Sequence, residues 1–88
     1  MSSMSRHQHY GRIRPLATLD PGMEGLVEHL DVSKSLQKRF LALGLTSGAR
    51  IRVIGSQHGP MIIAIRDSRL ALSQGVAARI YVEIGVGA

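Results

Sequence analysis

The chain has 88 residues, a formal net charge of +5 and no cysteine. This length allows one domain with a modest core. The lack of cysteine excludes disulfides, zinc–thiolate sites and a cysteine nucleophile. No apolar run approaches the roughly 20 residues that span a bilayer. We therefore expect one small cytosolic domain without a membrane-inserted segment.

The charges are segregated along the chain. The stretch from residue 34 to residue 52 has five basic residues and no acidic one: Lys34, Lys38, Arg39, Arg50 and Arg52. The preceding stretch has four acidic residues and no Lys or Arg: Asp20, Glu24, Glu28 and Asp31. A basic segment suggests an anionic partner, either nucleic acid or an acidic protein surface, although it could also be a solvated face that maintains solubility. With one Phe, two Tyr and no Trp, a base-stacking platform has few components, so we expect no stable nucleic-acid partner.

Residues 1–14 are rich in Ser, His and Arg and have little to bury, so they are predicted to be a flexible tail. The domain is predicted to span residues 15–85, with a first turn at Asp20-Pro21-Gly22. His7 and His9 in the tail could bind a metal ion. Because no carboxylate or third imidazole lies nearby in sequence, we interpret them as incidental.

The segment from Leu36 to Val53 predicts the end of a helix, a stop and the start of a strand. Leu36, Phe40 and Leu43 share one helical face, which we expect to be buried. Gly44 suits the left-handed residue that ends many helices, and Leu45 follows where it can fold back against the last turn. Residues 31–35 include more than one candidate for the N-cap of this helix.

The remaining elements are short strands. A first strand is predicted over residues 23–30, before the helix, and further strands over residues 49–54, 61–66, 69–73 and 79–84, with one helical turn at 74–78. Five short strands in so small a chain favour a small β-barrel with one helix inserted between its first two strands.

No catalytic arrangement is evident, and we expect neither an enzyme nor a bound cofactor. The glycines at 55 and 59 flank His58, but a hairpin loop explains them better than a phosphate site, which would require a following Lys-Ser/Thr. His29 and His58 could meet in space and bind a divalent ion, yet two ordinary imidazoles are the favoured interpretation. No metal site is predicted.

Four motifs resemble the FeoA family of ferrous iron transport proteins. They are L-D-P-G from Leu19, R-F-L-A-L-G-L-T-S-G from Arg39, G-P-M-I from Gly59, and R-L-A-L-S from Arg69 with A-A-R-I-Y-V-E from Ala77. Phe40 stands where the family usually has leucine, which keeps the apolar character. Gln74-Gly75 departs from the charged pair often seen before the last strand. The resemblance covers about residues 16–84.

The resemblance implies an SH3-like barrel and a cytoplasmic adaptor for FeoB, the large ferrous iron permease that carries a GTP-binding domain. The protein would then be recruited to the inner membrane through that permease. The same barrel also forms the C-terminal module of metal-dependent repressors. Because this sequence has no attached DNA-binding helices, it is more similar to the free-standing form.

A partner-binding surface is predicted at Lys38, Arg39, Leu41 and Leu45. Leu41 falls away from the buried helical face and beside Lys38, so apolar contact could supply affinity while charge steers the encounter. Alternatively, Leu41 packs under a loop. Two other functions stay open, a basic barrel that binds nucleic acid and a weak oligomer or sensor that uses the histidines to bind metal.

Overall fold

The structure, a computed structural model, describes residues 12–55 and 59–85. These residues form six strands and two α-helices: β1 Arg12–Pro15, β2 Glu24–Leu30, α1 Lys34–Ala42, β3 Arg50–Gly55, β4 Met61–Ile65, β5 Ser68–Leu72, α2 Gln74–Ala77 and β6 Ile80–Ile84. A single 3-10 turn, Leu16–Thr18, follows β1. The predicted class, mainly β with an SH3-like fold, is confirmed, and α1 lies between β2 and β3 as expected.

The six strands form one antiparallel sheet in the order β1-β6-β2-β3-β4-β5. Successive side chains point to opposite faces of a strand, so each strand contributes alternate residues to the core. This alternation is regular in β4, in β6 and in the first four residues of β3, where every second residue is buried. The core residues are Leu16, Leu19, Val27, Phe40, Leu45, Ile51, Val53, Met61, Ile63, Ile65, Leu72, Ala77, Ile80, Val82 and Ile84.

The strand β1 corrects the predicted number of strands. Arg12 to Arg14 were assigned to the flexible tail, but they pair with β6 as an edge strand, which gives six strands instead of five. The segment was missed because it is short and carries two arginines and a proline, which edge strands tolerate and central strands do not. The remainder of the predicted tail, with His7 and His9, lies outside the described residues.

The turn before β2 forms as predicted. The backbone N–H of Met23 donates to the carbonyl of Asp20 at 3.1 Å, so Pro21 and Gly22 occupy the two central positions. Gly22 has a φ of 91°, a value that glycine adopts without steric penalty. The turn directs the chain into β2, and Gly22 N–H also donates to the carbonyl of Val53 on the neighbouring strand at 2.7 Å.

The helix α1 has defined caps at both ends. Ser33 is the N-cap, and its hydroxyl accepts the backbone N–H of Leu36 at 3.2 Å. At the other end Gly44, with a φ of 92°, donates to Leu41, and Leu45 donates to Phe40. This pair of bonds is the Schellman motif. The predicted glycine stop and the return of Leu45 to the last turn are therefore confirmed.

The prediction that Leu43 is buried is wrong. Its side chain is 52% exposed, whereas Phe40 on the same predicted face is 6% exposed. The helix ends at Ala42, and Leu43 is the C-cap with φ −95° and ψ 0°. The chain reverses directly after Leu43, and Leu45 returns to the last turn of α1 and occupies the core there instead.

Candidate functional site

A groove lies between α1 and β2, and we call it the helix groove. The residues that line it are His29, Leu30, Lys34, Gln37, Lys38, Leu41, Leu45, Thr46 and Ser47, and they enclose about 540 Å³. Its position follows from the sequence of elements, since β2 leads directly into α1 and the loop after α1 returns to β2. The groove therefore combines one helical face, one strand end and one loop.

Two side-chain hydrogen bonds fix the walls of the helix groove. The Gln37 side-chain amide donates to the carbonyl of Val32 at 3.0 Å, which holds α1 against the chain that enters it. The Ser47 hydroxyl donates to the carbonyl of Glu28 at 3.1 Å, which holds the loop after α1 against β2. The first bond is local to the start of α1 and the second joins segments 19 residues apart, and both are present without a partner, so the groove is preformed. Such preorganisation lowers the entropy lost on binding.

The predicted site residues separate into three positions. Lys38 and Leu41 line the helix groove, and Leu41 is 59% exposed. Leu45 also lines this groove, but its side chain is only 1% exposed and belongs to the core beneath it. Arg39 is exposed in the last turn of α1 but is not among the groove residues. The alternative in which Leu41 packs under a loop is wrong, because its side chain is exposed.

Sequence reasoning did not assign Lys34 to the site, although a signal was present. Lys34, Lys38 and Leu41 are spaced at i, i+4 and i+7, and residues with this spacing share one helical face. Both lysines line the helix groove, whose lining residues include no carboxylate. The result is an apolar contact point with positive charge beside it.

A second unpredicted feature is a ring stack at the strand end of the groove. His29 on β2 pairs in register with Tyr81 on β6, and their ring centroids lie 4.7 Å apart at an interplanar angle of 17°. The Nδ1 atom of His29 lies 2.7 Å from a carboxylate oxygen of Glu28. Sequence alone could not show this stack, because the pairing of β2 with β6 joins residues far apart in the chain.

The metal hypotheses are not supported by a ligand cluster within the described residues. No group of three or more His, Cys, Asp or Glu side chains that could hold a metal ion occurs in residues 12–55 and 59–85. His29 instead contacts Glu28 and Tyr81. His58 lies outside the described residues, so its predicted encounter with His29 stays a prediction. None of the helices described is long and apolar enough to cross a bilayer.

The fold and the groove define a small β-domain of the SH3-like class that bears a helix on one side. Comparison with known proteins gives the family. Residues 14–84 match the FeoA domain, and the chain belongs to the FeoA family.

Individual relatives agree with this assignment. The chain is 35% identical over 69 residues to the Putative Fe(2+) transport protein A of Methanocaldococcus jannaschii, covering 78% of this chain and 84% of that protein. It is similar to a crystal structure of an Iron Uptake Regulatory Protein (FeoA), with a TM-score of 0.75 and 33% identity over 82% of this chain and 97% of that one.

A manganese-dependent transcriptional repressor shares the fold alone. The TM-score is 0.73 at 23% identity, and the match covers 84% of this chain but 42% of the repressor. The similarity to such repressors is therefore one of fold, over less than half of the repressor chain. The FeoA family is a family of transport-associated accessory proteins.

Proposed function

We propose that this protein is a cytoplasmic accessory protein of ferrous iron uptake, which binds the cytoplasmic region of a FeoB-type permease through the helix groove. The FeoA family assignment and the relative named as an Fe(2+) transport protein support a role in ferrous iron uptake. Binding to the permease recruits the protein to the inner membrane.

The observation that carries the choice of surface is the exposure of Leu41. A leucine that is 59% exposed leaves more than half of its surface in water, and it lines a preformed groove together with Lys34 and Lys38. Burial of apolar area contributes roughly 25 cal/mol per Å², and adjacent charge raises the rate of encounter with an acidic partner. A partner that covers Leu41 therefore benefits from both effects.

The test measures binding of the purified protein to the soluble cytoplasmic part of the permease from the same organism. Leu41→Glu should weaken this binding at least tenfold, because the apolar contact is lost and a negative charge enters a basic groove. The thermal unfolding temperature should change little, since surface substitutions usually alter stability by about 0.5 kcal/mol or less.

The matched control is Ile13→Glu. Ile13 is 52% exposed on β1, which lies at an edge of the sheet, and the helix groove does not include it. The Ile13→Glu variant should bind the permease part with an affinity within twofold of that of the unaltered protein. Equal losses from the two variants would contradict the helix groove as the contact surface. If neither the soluble part nor the full-length permease binds the unaltered protein, the adaptor function is wrong.

A further inference from the structure

A second groove opens on the other side of the loop that joins α1 to β3. We call it the arginine groove, because Arg50, Arg52 and Arg66 line it together with small residues of the loop and Ala64. It encloses about 670 Å³. Arg50 and Arg52 face outward because the alternate residues of β3 are buried. Arg66 reaches the groove from the turn between β4 and β5.

The positive charge of the arginine groove is only partly compensated. Glu24 is the one acidic residue in its lining, and it lies 3.8 Å from Arg50, with both side chains more than half exposed. Within the described residues, Arg52 and Arg66 have no carboxylate at salt-bridge distance. Ala64 pairs in register with Arg52 on one side and Arg69 on the other, so a further arginine lies along the same cross-strand row.

Much of the lining of the arginine groove consists of small residues, beside the buried Ile51 and Ile65. Gly48, Ala49 and Ala64 line it, and a Cβ added at Gly48 would meet no heavy atom within 4 Å. An extended polypeptide backbone can therefore approach closely. Guanidinium groups bind carboxylates through two parallel hydrogen bonds, which gives both strength and orientation.

The two grooves adjoin at one short loop. Thr46 and Ser47 line both of them, so basic side chains of α1 and of β3 lie on either side of this loop. On the basis of the proposed function, we propose that an extended acidic segment of the protein partner crosses this loop and places carboxylates in the arginine groove.

A polypeptide fits this surface better than a lipid bilayer or a nucleic acid does. A bilayer surface is flat and would contact the rim of a concave groove without filling it. Nucleic-acid binding by small barrels commonly uses exposed aromatic rings for stacking. Among the described residues the Phe and Tyr side chains are Phe40, which is buried, and Tyr81, which is half-buried and already stacked on His29.

The first experiment titrates the full chain with a ten-residue peptide of alternating Glu and Ser, using backbone amide NMR shifts and fluorescence anisotropy. Shifts should concentrate in residues 46–52 and 64–66. Arg52→Glu should weaken binding at least tenfold. Arg12→Glu, which makes the same charge change on β1, should weaken it less than twofold. Equal losses, or shifts spread over the arginines of β1, would overturn the proposal.

Glu24 pairs in register with position 52, so Arg52→Glu places two carboxylates opposite each other. A second variant, at Arg66, avoids this repulsion. Arg66 has a φ of 52°, a conformation that asparagine tolerates well, so Arg66→Asn should fold normally and weaken peptide binding several-fold. Arg12→Asn is its control. Tighter binding of phosphatidylglycerol vesicles or duplex DNA than of the peptide, with the same dependence on Arg66, would also overturn the proposal.

Binding to the permease separates this proposal from the function on which it rests. If Leu41→Glu abolishes capture of the soluble permease part while Arg52→Glu leaves it unchanged, the acidic-segment proposal is wrong and the adaptor function stands. If both variants weaken capture, both are supported. If the peptide binds the arginine groove but no form of the permease binds the protein, the adaptor function alone is contradicted.

Discussion

Leu41 and Leu45 are four residues apart and have opposite environments. Leu41 is 59% exposed at the end of α1, and Leu45 is 1% exposed beyond the glycine turn. Two residues at this spacing would share a face if the helix continued. The Schellman turn at Gly44 reverses the chain between them, so one leucine joins the core and the other stays available to a partner. A single turn thus separates a leucine of the core from the exposed leucine that we propose to contact the partner.

The largest expected effect is on the buried member of this pair. Leu45→Ala should lower the free energy of unfolding by about 2 to 5 kcal/mol, because it removes buried methyl groups and leaves a cavity. Leu41→Ala is the matched control and should change it by about 0.5 kcal/mol or less. Chemical denaturation measures both. Similar losses from the two variants would mean that both leucines belong to the core.

The turn between the two leucines should be the next most sensitive feature. Gly44→Ala should cost about 1 to 2 kcal/mol, because the residue has a φ of 92° and a Cβ is disfavoured in that region. Space does not explain the cost, since the added Cβ would lie at an ordinary 3.6 Å from Ile65.

A matched control for the turn is Gly75→Ala in α2. Gly75 has no positive φ and no heavy atom within 4 Å of an added Cβ, so its replacement should be neutral or slightly stabilising. Thermal unfolding compares the two variants. Equal behaviour would show that the conformation at Gly44 does not direct Leu45 into the core.

A smaller effect is expected at the start of α1. Ser33→Ala removes the hydroxyl that accepts the N–H of Leu36 and should cost about 1 kcal/mol. Ser35→Ala is the control, because the N–H of Leu36 is accepted by Ser33 and not by Ser35. Urea denaturation distinguishes them. A larger loss at Ser35 would place the cap there and shift the face that α1 presents to the groove.

The smallest effect on stability should accompany a clear effect on binding. Lys34→Glu and Lys38→Glu should leave unfolding nearly unchanged, since both side chains are exposed. Each should slow association with the permease part, most strongly at low salt, because screening shortens the range of the attraction. Stopped-flow association rates at several salt concentrations test this. If both variants associate as fast as the unaltered protein, these lysines do not steer the encounter.

Local rules predicted much of this fold. The alternation of Ile51 and Val53, and of Ile80, Val82 and Ile84, was sufficient to place β3 and β6, because every second residue of a half-buried strand must be apolar. The glycine stop was predicted by the same reasoning. Leu43 was misplaced because a helical wheel does not show that the turn brings Leu45, and not Leu43, into the core.

The site was predicted less completely because it depends on contacts between distant segments. Lys38 and Leu41 follow from the helical spacing. The ring stack of His29 on Tyr81 and the hydrogen bond from Ser47 to Glu28 require the pairing of β2 with β6 and the return of the loop. The arginine groove likewise brings β3 and the turn after β4 together. No local pattern specifies these pairings.

The most direct test is a map of amide shifts on addition of the soluble permease part to the isotope-labelled full chain. We predict that the shifts concentrate in residues 34–52 and 64–66, with Leu41 among the largest, and that the amides of β1 are unchanged. Shifts confined to β1, with none along α1, would contradict recognition through the helix groove.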